Sequence, residues 1–78
     1  MRYQCEMTLR RAEGALVRVL GTAERRGFRP LAFESDARDD GDRWRLRMTV
    51  ESERAASALQ GQLAKLYDCL SVEVSPCR

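Results

Sequence analysis

Gly14 is the residue in this chain with the clearest potential to bind a ligand. It stands where a polar loop, Arg10–Glu13, meets a run of residues with helical spacing. The first N–H groups of a helix have no partner within the helix, and the positive end of its dipole attracts anions. The amides around Glu13–Ala15 could therefore bind the carboxylate of a small molecule. A glycine at this place also fits a simple turn, and the residues alone leave both interpretations open.

Other chemistries are poorly supported. The chain has no histidine, which excludes histidine-based acid–base catalysis and most transition-metal sites. Three cysteines, Cys5, Cys69 and Cys77, show no CxxC spacing and are odd in number, so neither a disulfide framework nor a zinc site is expected. We expect Cys5 and Cys69 to be small core or interface residues. The carboxylates between Glu34 and Asp42 favour a solvated loop over an acid–base pair or a metal-binding loop. No catalytic residue, metal or cofactor is predicted in this chain.

The bulk composition predicts one small domain over residues 1–78, with its core at about residues 2–75. The formal net charge of +2 has interspersed signs, which argues against nucleic acid as a partner. No apolar run approaches the ~20 residues that span a bilayer, and the alternating N-terminus does not resemble a signal peptide. We therefore expect a cytoplasmic protein without a membrane partner. A domain of this size gains stability from oligomerising.

Six segments carry periodic signals. Residues Tyr3–Leu9 alternate as a strand, and a helix follows from Ala15 with Gly27 as its C-cap. The second strand, Phe28–Ser35, has Leu31 and Phe33 on one face and contains Pro30, which predicts an edge or a bulge. A hairpin loop, Asp36–Asp42, leads to a third strand, Arg43–Glu51. Ser52 is the expected N-cap of the second helix, with Glu53 in its first turn. The fourth strand follows, in which Leu70, Val72 and Val74 alternate with Cys69, Ser71 and Glu73.

This order is βαββαβ and predicts an α+β, ferredoxin-like fold. Two split βαβ units with right-handed crossovers give a four-stranded antiparallel sheet with both helices on one face. The other face would carry Arg43, Arg45 and Arg47. An RNA-binding sheet of this topology would place stacking aromatics there, whereas Trp44 points toward the helices. A solvated or subunit-facing surface is therefore favoured over phosphate binding.

Two blocks of sequence resemble the ACT domain of the regulatory small subunits of acetolactate synthase (acetohydroxyacid synthase). The family pattern L-x-N-x-x-G-A-L-x-R-V-x-G-x-x-x-x-R-G-[YF] is met at Leu9, Gly14, Ala15, Leu16, Arg18, Val19, Gly21, Arg26, Gly27 and Phe28. The pattern Q-L-x-K-L-x-D-V-x-x-V is matched by Gln62, Leu63, Lys65, Leu66, Asp68 and Val72. Met48–Val50 matches the central strand. In size the chain is most similar to the single-domain subunit of the isozyme II type.

The resemblance implies a non-catalytic regulatory subunit in branched-chain amino-acid biosynthesis. Such a subunit forms a homodimer through its ACT domains and activates the large catalytic subunit, which is the chain that carries thiamine diphosphate, Mg and FAD. The implied effector, a branched-chain amino acid, would lie at Arg11, Glu13, Gly14, Ala15 and Leu16.

Arg11 stands where valine-sensitive relatives have asparagine. The resemblance therefore predicts activation of a partner more than sensing of an effector. The alternative is a free-standing amino-acid-binding ACT sensor.

Overall fold

The strands and helices follow the predicted order. The computed structural model describes residues 1–37 and 41–77, and within them the elements are β1 (Arg2–Arg10), α1 (Ala15–Arg25), β2 (Arg29–Ala37), β3 (Arg43–Glu51), α2 (Ala56–Ala64) and β4 (Cys69–Pro76). The sheet order is β2-β3-β1-β4 and the three strand pairs are antiparallel. The ferredoxin-like βαββαβ prediction is confirmed. No helix in these residues is long and apolar enough to span a membrane.

The core lies between the sheet and the helices. Alternate residues of β1 and β3 are buried, as period-two patterning requires, and they meet apolar positions of α1 and α2. The buried set is Tyr3, Cys5, Met7, Leu9, Val19, Ala23, Phe28, Leu46, Met48, Val50, Leu59 and Leu63. The other face of the sheet, here called the open face, carries the polar alternates.

Two glycines delimit α1. Gly14 precedes the helix with φ 79° and Gly27 follows it with φ 87°, a region that residues with a Cβ rarely adopt. Past Gly27, the Phe28 N–H donates to the Ala23 carbonyl at 2.9 Å, which closes the end of the helix. The predicted start and end of the first helix are confirmed.

Pro30 lies where the sequence predicted. β2 is an edge strand, and its register with β3 shifts between Pro30 and Ala32. Leu31 has no partner in this register, so the strict alternation that would place Leu31 beside Phe33 is interrupted.

The predicted N-cap of α2 is wrong. The Ser52 N–H donates to the Met1 carbonyl at 2.9 Å, so Ser52 prolongs the strand ladder instead of starting the helix. Its hydroxyl accepts the Arg54 N–H at 3.0 Å and closes a bend. The helix begins three residues further on, with Ala55 at the N-cap and no capping side chain.

The predicted alternation that groups Leu70 with Val72 and Val74 is also wrong at its first residue. The register between β1 and β4 shifts at Thr8 and Leu9, so that Ser71 pairs with Thr8 and Cys69 with Leu9. Cys69 therefore packs against the core, while Leu70 is 39% exposed. In the hairpin, β2 extends through Asp36 to Ala37, and Arg38, Asp39 and Asp40 of the predicted loop lie outside the described residues.

Candidate functional site

The start of α1 presents two backbone donors, the N–H groups of Leu16 and Val17, between N–H groups that are already bonded. The Ala15 N–H donates to the Ala12 carbonyl at 3.1 Å, and the Arg18 N–H donates to the Gly14 carbonyl at 3.0 Å as the first bond of the helix. The N–H groups of Leu16 and Val17 have no hydrogen-bond partner among residues 1–37 and 41–77. These two donors stand at the positive end of the helix, where a carboxylate is favoured.

The predicted effector residues contribute mainly backbone. Ala15 is fully buried, and Leu16 packs against the core, so neither side chain is directed at a ligand above the loop. Glu13 is exposed, and its carbonyl accepts a hydrogen bond from Arg18 Nη2 at 2.8 Å. The structure thus brings Glu13, Gly14 and Leu16 together around the start of α1.

Arg11 is bound to the β2–β3 hairpin. Its Nη1 donates to the Gly41 carbonyl at 2.7 Å, and its main-chain N–H donates to the Asp42 carbonyl at 3.0 Å. The guanidinium lies over the Trp44 ring, 5.5 Å from the centroid. The side chain that replaces the asparagine of valine-sensitive relatives is therefore directed at the hairpin and not at the first turn of α1.

An ion pair between Arg18 and Asp68 fixes the loop from the other side. Arg18 Nε lies 2.6 Å from Asp68 Oδ2 and Nη2 lies 3.0 Å from Oδ1, which is bidentate geometry. The Asp68 side chain is 2% exposed and that of Arg18 is 47% exposed. The hydrogen bond from Arg18 lowers the pKa of the Asp68 carboxyl despite its burial. Asp68 also accepts the Arg10 N–H on its carbonyl at 2.7 Å.

Two features of the structure favour glycine at position 14, the space beside it and its backbone conformation. A Cβ built on Gly14 would lie 2.8 Å from Arg18 Nη1, and the positive φ is itself unfavourable for other residues. A side chain at this position would strain the loop and displace the guanidinium. The glycine thus permits Arg18 to lie close over the loop.

Sequence reasoning missed this ion pair. Arg18 and Asp68 are 50 positions apart, and no periodicity relates them. The only available signal was that each belongs to one of the two blocks of the resemblance. In chemical terms the loop offers two amide donors and a charge-compensated guanidinium, an arrangement suited to binding and not to acid–base or nucleophilic catalysis.

A sequence model of the ACT domain matches residues 11–72, which is most of the chain. The chain belongs to the ACT domain family, whose members are regulatory, non-catalytic domains that typically bind amino acids. A comparison with curated proteins found no match.

Solved structures support the fold. The ACT domain of a GTP pyrophosphokinase from Chlorobium tepidum superposes with a TM-score of 0.78 at 12% identity, covering 95% of this chain and 96% of that one. A formyltetrahydrofolate deformylase from Pseudomonas putida KT2440 gives 0.80 at 8% identity, covering 99% of this chain and 29% of that one. The C-terminal domain of MgtC from Mycobacterium tuberculosis gives 0.68 at 12% identity, covering 94% and 83%. At these identities the likeness concerns the fold alone.

Proposed function

We propose that this chain is a non-catalytic small subunit that binds and activates the thiamine-diphosphate-dependent large subunit of acetolactate synthase in the cytoplasm. The observation that carries the proposal is the Arg18–Asp68 ion pair, since it joins the two separated blocks that resemble the small subunits. Two blocks that match a family pattern and also meet in space support a common origin more strongly than either block alone. Thiamine diphosphate, Mg and FAD belong to the large subunit in this proposal.

The loop geometry favours activation over feedback sensing. Arg11 is bonded to Gly41, and Arg18 is paired with Asp68, so both cationic side chains near the loop already have partners. A carboxylate effector would meet the N–H groups of Leu16 and Val17 without a side-chain anchor. We therefore expect valine, leucine and isoleucine to have little effect on the activated enzyme.

A homodimer through the β2 edge belongs to the same proposal. β2 ends the sheet on one side, and it carries two exposed apolar side chains, Leu31 at 43% and Phe33 at 45%. An edge strand with apolar side chains is a template for pairing with a second copy. Sedimentation of the purified chain should therefore give a mass twice that of the subunit.

The direct test is reconstitution. The purified chain is added to its cognate large subunit, and acetolactate formation and co-elution on a sizing column are measured together. We expect a several-fold rise in specific activity and a joint peak. An unchanged activity with separate peaks would overturn the assignment.

The second candidate function is a free-standing amino-acid sensor, which the amides of Leu16 and Val17 favour because neither has a partner within the part of the chain that the structure describes. Titration calorimetry of the isolated chain with each branched-chain amino acid separates the two. Micromolar binding without activation of the large subunit would support the sensor.

A further inference from the structure

Three segments of the chain meet at the end of the sheet where β1 stops. The Arg10 N–H donates to the Asp68 carbonyl of the α2–β4 turn, and the Arg11 N–H donates to the Asp42 carbonyl of the hairpin. These bonds hold the main chain of all three segments together. The end of the domain that they form, here called the basic end, carries Arg10 and Arg43 on the open face, Trp44 on the helix side with Arg11 over its ring, and Tyr67 in the α2–β4 turn.

The charges of the basic end are not compensated as they are elsewhere on the open face. Arg47 lies 3.9 Å from Glu6 and 3.7 Å from Glu34. Arg2 and Arg29 lie 3.4 and 3.3 Å from Glu51. On this part of the open face, Arg2, Arg29 and Arg47 thus each have a carboxylate within 4.0 Å.

Arg10 and Arg43 lack this arrangement. They stand directly opposite one another in the β1–β3 register, a position where like charges destabilise a sheet. Among the described residues neither forms an ion pair within 4.0 Å. Asp68 is near enough for Arg10 to lower its pKa, but both of its oxygens are taken by Arg18. The β1–β3 register therefore ends in two opposed cationic residues, a position that a bound anionic group would suit.

Two arginines of the basic end lie on aromatic rings. The Arg10 guanidinium is 4.8 Å from the centroid of Tyr67, and that of Arg11 is 5.5 Å from the centroid of Trp44. Tyr67 is 77% exposed. Tyrosine, tryptophan and arginine are the residues that most often supply binding energy at protein interfaces. The basic end combines them on a main chain that is already ordered, which lowers the entropic cost of docking.

We infer that the basic end is a docking surface for a short acidic segment of a partner protein. Carboxylates of that segment would accept paired hydrogen bonds from Arg10 and Arg43, and an apolar neighbour would pack on Tyr67 and the exposed Leu70. Nucleic acid fits less well, because the glutamates beside Arg2, Arg29 and Arg47 would repel a phosphate chain that continues along the open face. The inference rests on the proposed function only in that the domain acts through contact with another protein.

The test uses the full chain and a labelled peptide of six glutamates around a central leucine. Fluorescence anisotropy gives the affinity, and the fluorescence of Trp44, the one tryptophan in the chain, reports the site. We expect binding that weakens as salt rises. The double variant Arg10→Gln/Arg43→Gln should weaken it at least tenfold.

Arg26→Gln is the matched control, since it removes one exposed charge at the opposite end of the sheet and should change the affinity less than twofold. Circular dichroism verifies that the variants are folded. The inference is overturned if the double variant binds as the wild type does, if a glutamine version of the peptide binds equally, or if no binding occurs. It is also overturned if an eight-nucleotide oligothymidine binds more tightly through the same arginines.

The outcomes of the peptide test and of the reconstitution test are independent of each other. Peptide binding that depends on Arg10 and Arg43 supports the docking surface even if acetolactate synthase is not activated. Activation that survives while the peptide fails to bind retains the proposed function and rejects the docking surface.

Discussion

The two edge strands of the sheet, β4 and β2, differ in how far the rest of the chain covers them. α2 lies along β4, and the Gln60 side-chain oxygen accepts the Val74 N–H at 3.0 Å. Pro76, at the end of β4, has no N–H to offer. β2, by contrast, has limited contact with α1 and carries the half-exposed Phe33. The chain therefore covers the β4 edge with its own residues and leaves the β2 edge open, and the open edge is where we propose that a second copy pairs.

The largest expected effect tests the covered edge. Leu63 of α2 is fully buried, so Leu63→Ala should lower the free energy of unfolding by about 2–5 kcal/mol through lost burial and a cavity. Phe33→Ala on the open edge should cost the subunit only about 1 kcal/mol, since much of its ring is already in water. Urea denaturation at low protein concentration measures both. Equal losses of unfolding free energy in the two variants would show that β2 is as well covered as β4.

The next effect concerns assembly. Phe33→Lys places a charge on the open edge and should raise the dimer dissociation constant about 100-fold, or about 2.7 kcal/mol. Val17→Lys is the control, because Val17 is another exposed apolar residue, on α1 and away from the edge. Analytical ultracentrifugation distinguishes the two. Dimers that persist in the Phe33 variant would remove β2 from the interface.

A third prediction concerns the buried thiol of Cys5, which lies on β1 next to the covered edge strand β4. Cys5 pairs with Val74 of β4, and burial raises its pKa to about 12, with smaller contributions from Cys69 and Glu6. Above pH 9 the unfolded thiol loses its proton while the folded one keeps it. Cys5 should therefore cost about 1.4 kcal/mol of stability per pH unit between pH 9 and 12.

Unfolding free energies at pH 8 and 10 measure this effect. The difference between wild type and Cys5→Ala should shrink by roughly 1.4 kcal/mol at the higher pH. A pH-independent difference for Cys5→Ala would contradict a raised pKa of this thiol in the folded chain.

The smallest effect concerns Gln60 itself. Gln60→Ala removes the bond to the exposed Val74 N–H and should cost about 0.5–1 kcal/mol. Hydrogen exchange at Val74 should accelerate, whereas Gln62→Ala should leave that amide unchanged. Unaltered exchange in the Gln60 variant would show that α2 protects the edge without this hydrogen bond.

Sequence patterns predicted the features that depend on neighbouring residues. Gly27 ends α1, and Pro30 marks an edge strand, because a positive φ and a missing N–H are local properties. The position of Leu70 was not predictable in this way, since it depends on how β4 pairs with a strand more than 60 residues earlier. Ser52 was misassigned for the same reason, because its N–H is taken by Met1.

The candidate site likewise has features that depend on neighbouring residues and features that depend on distant ones. Gly14 was identifiable because a glycine before a helix has a local signature, and the structure places it in the left-handed conformation. The partners of Arg11 and Arg18 were not, because Gly41 and Asp68 are 30 and 50 positions away. Side-chain contacts over such separations follow from the packed fold and leave no periodic trace.

The Arg18–Asp68 pair also has a consequence for synthesis of the chain. The loop at Gly14 precedes α1, yet the carboxylate that positions Arg18 over it lies 50 residues further on, just before the last strand. Synthesis proceeds from the N-terminus, so this ion pair cannot form until nearly all of the domain has emerged. The geometry of the candidate site is, in effect, a property of the whole folded domain.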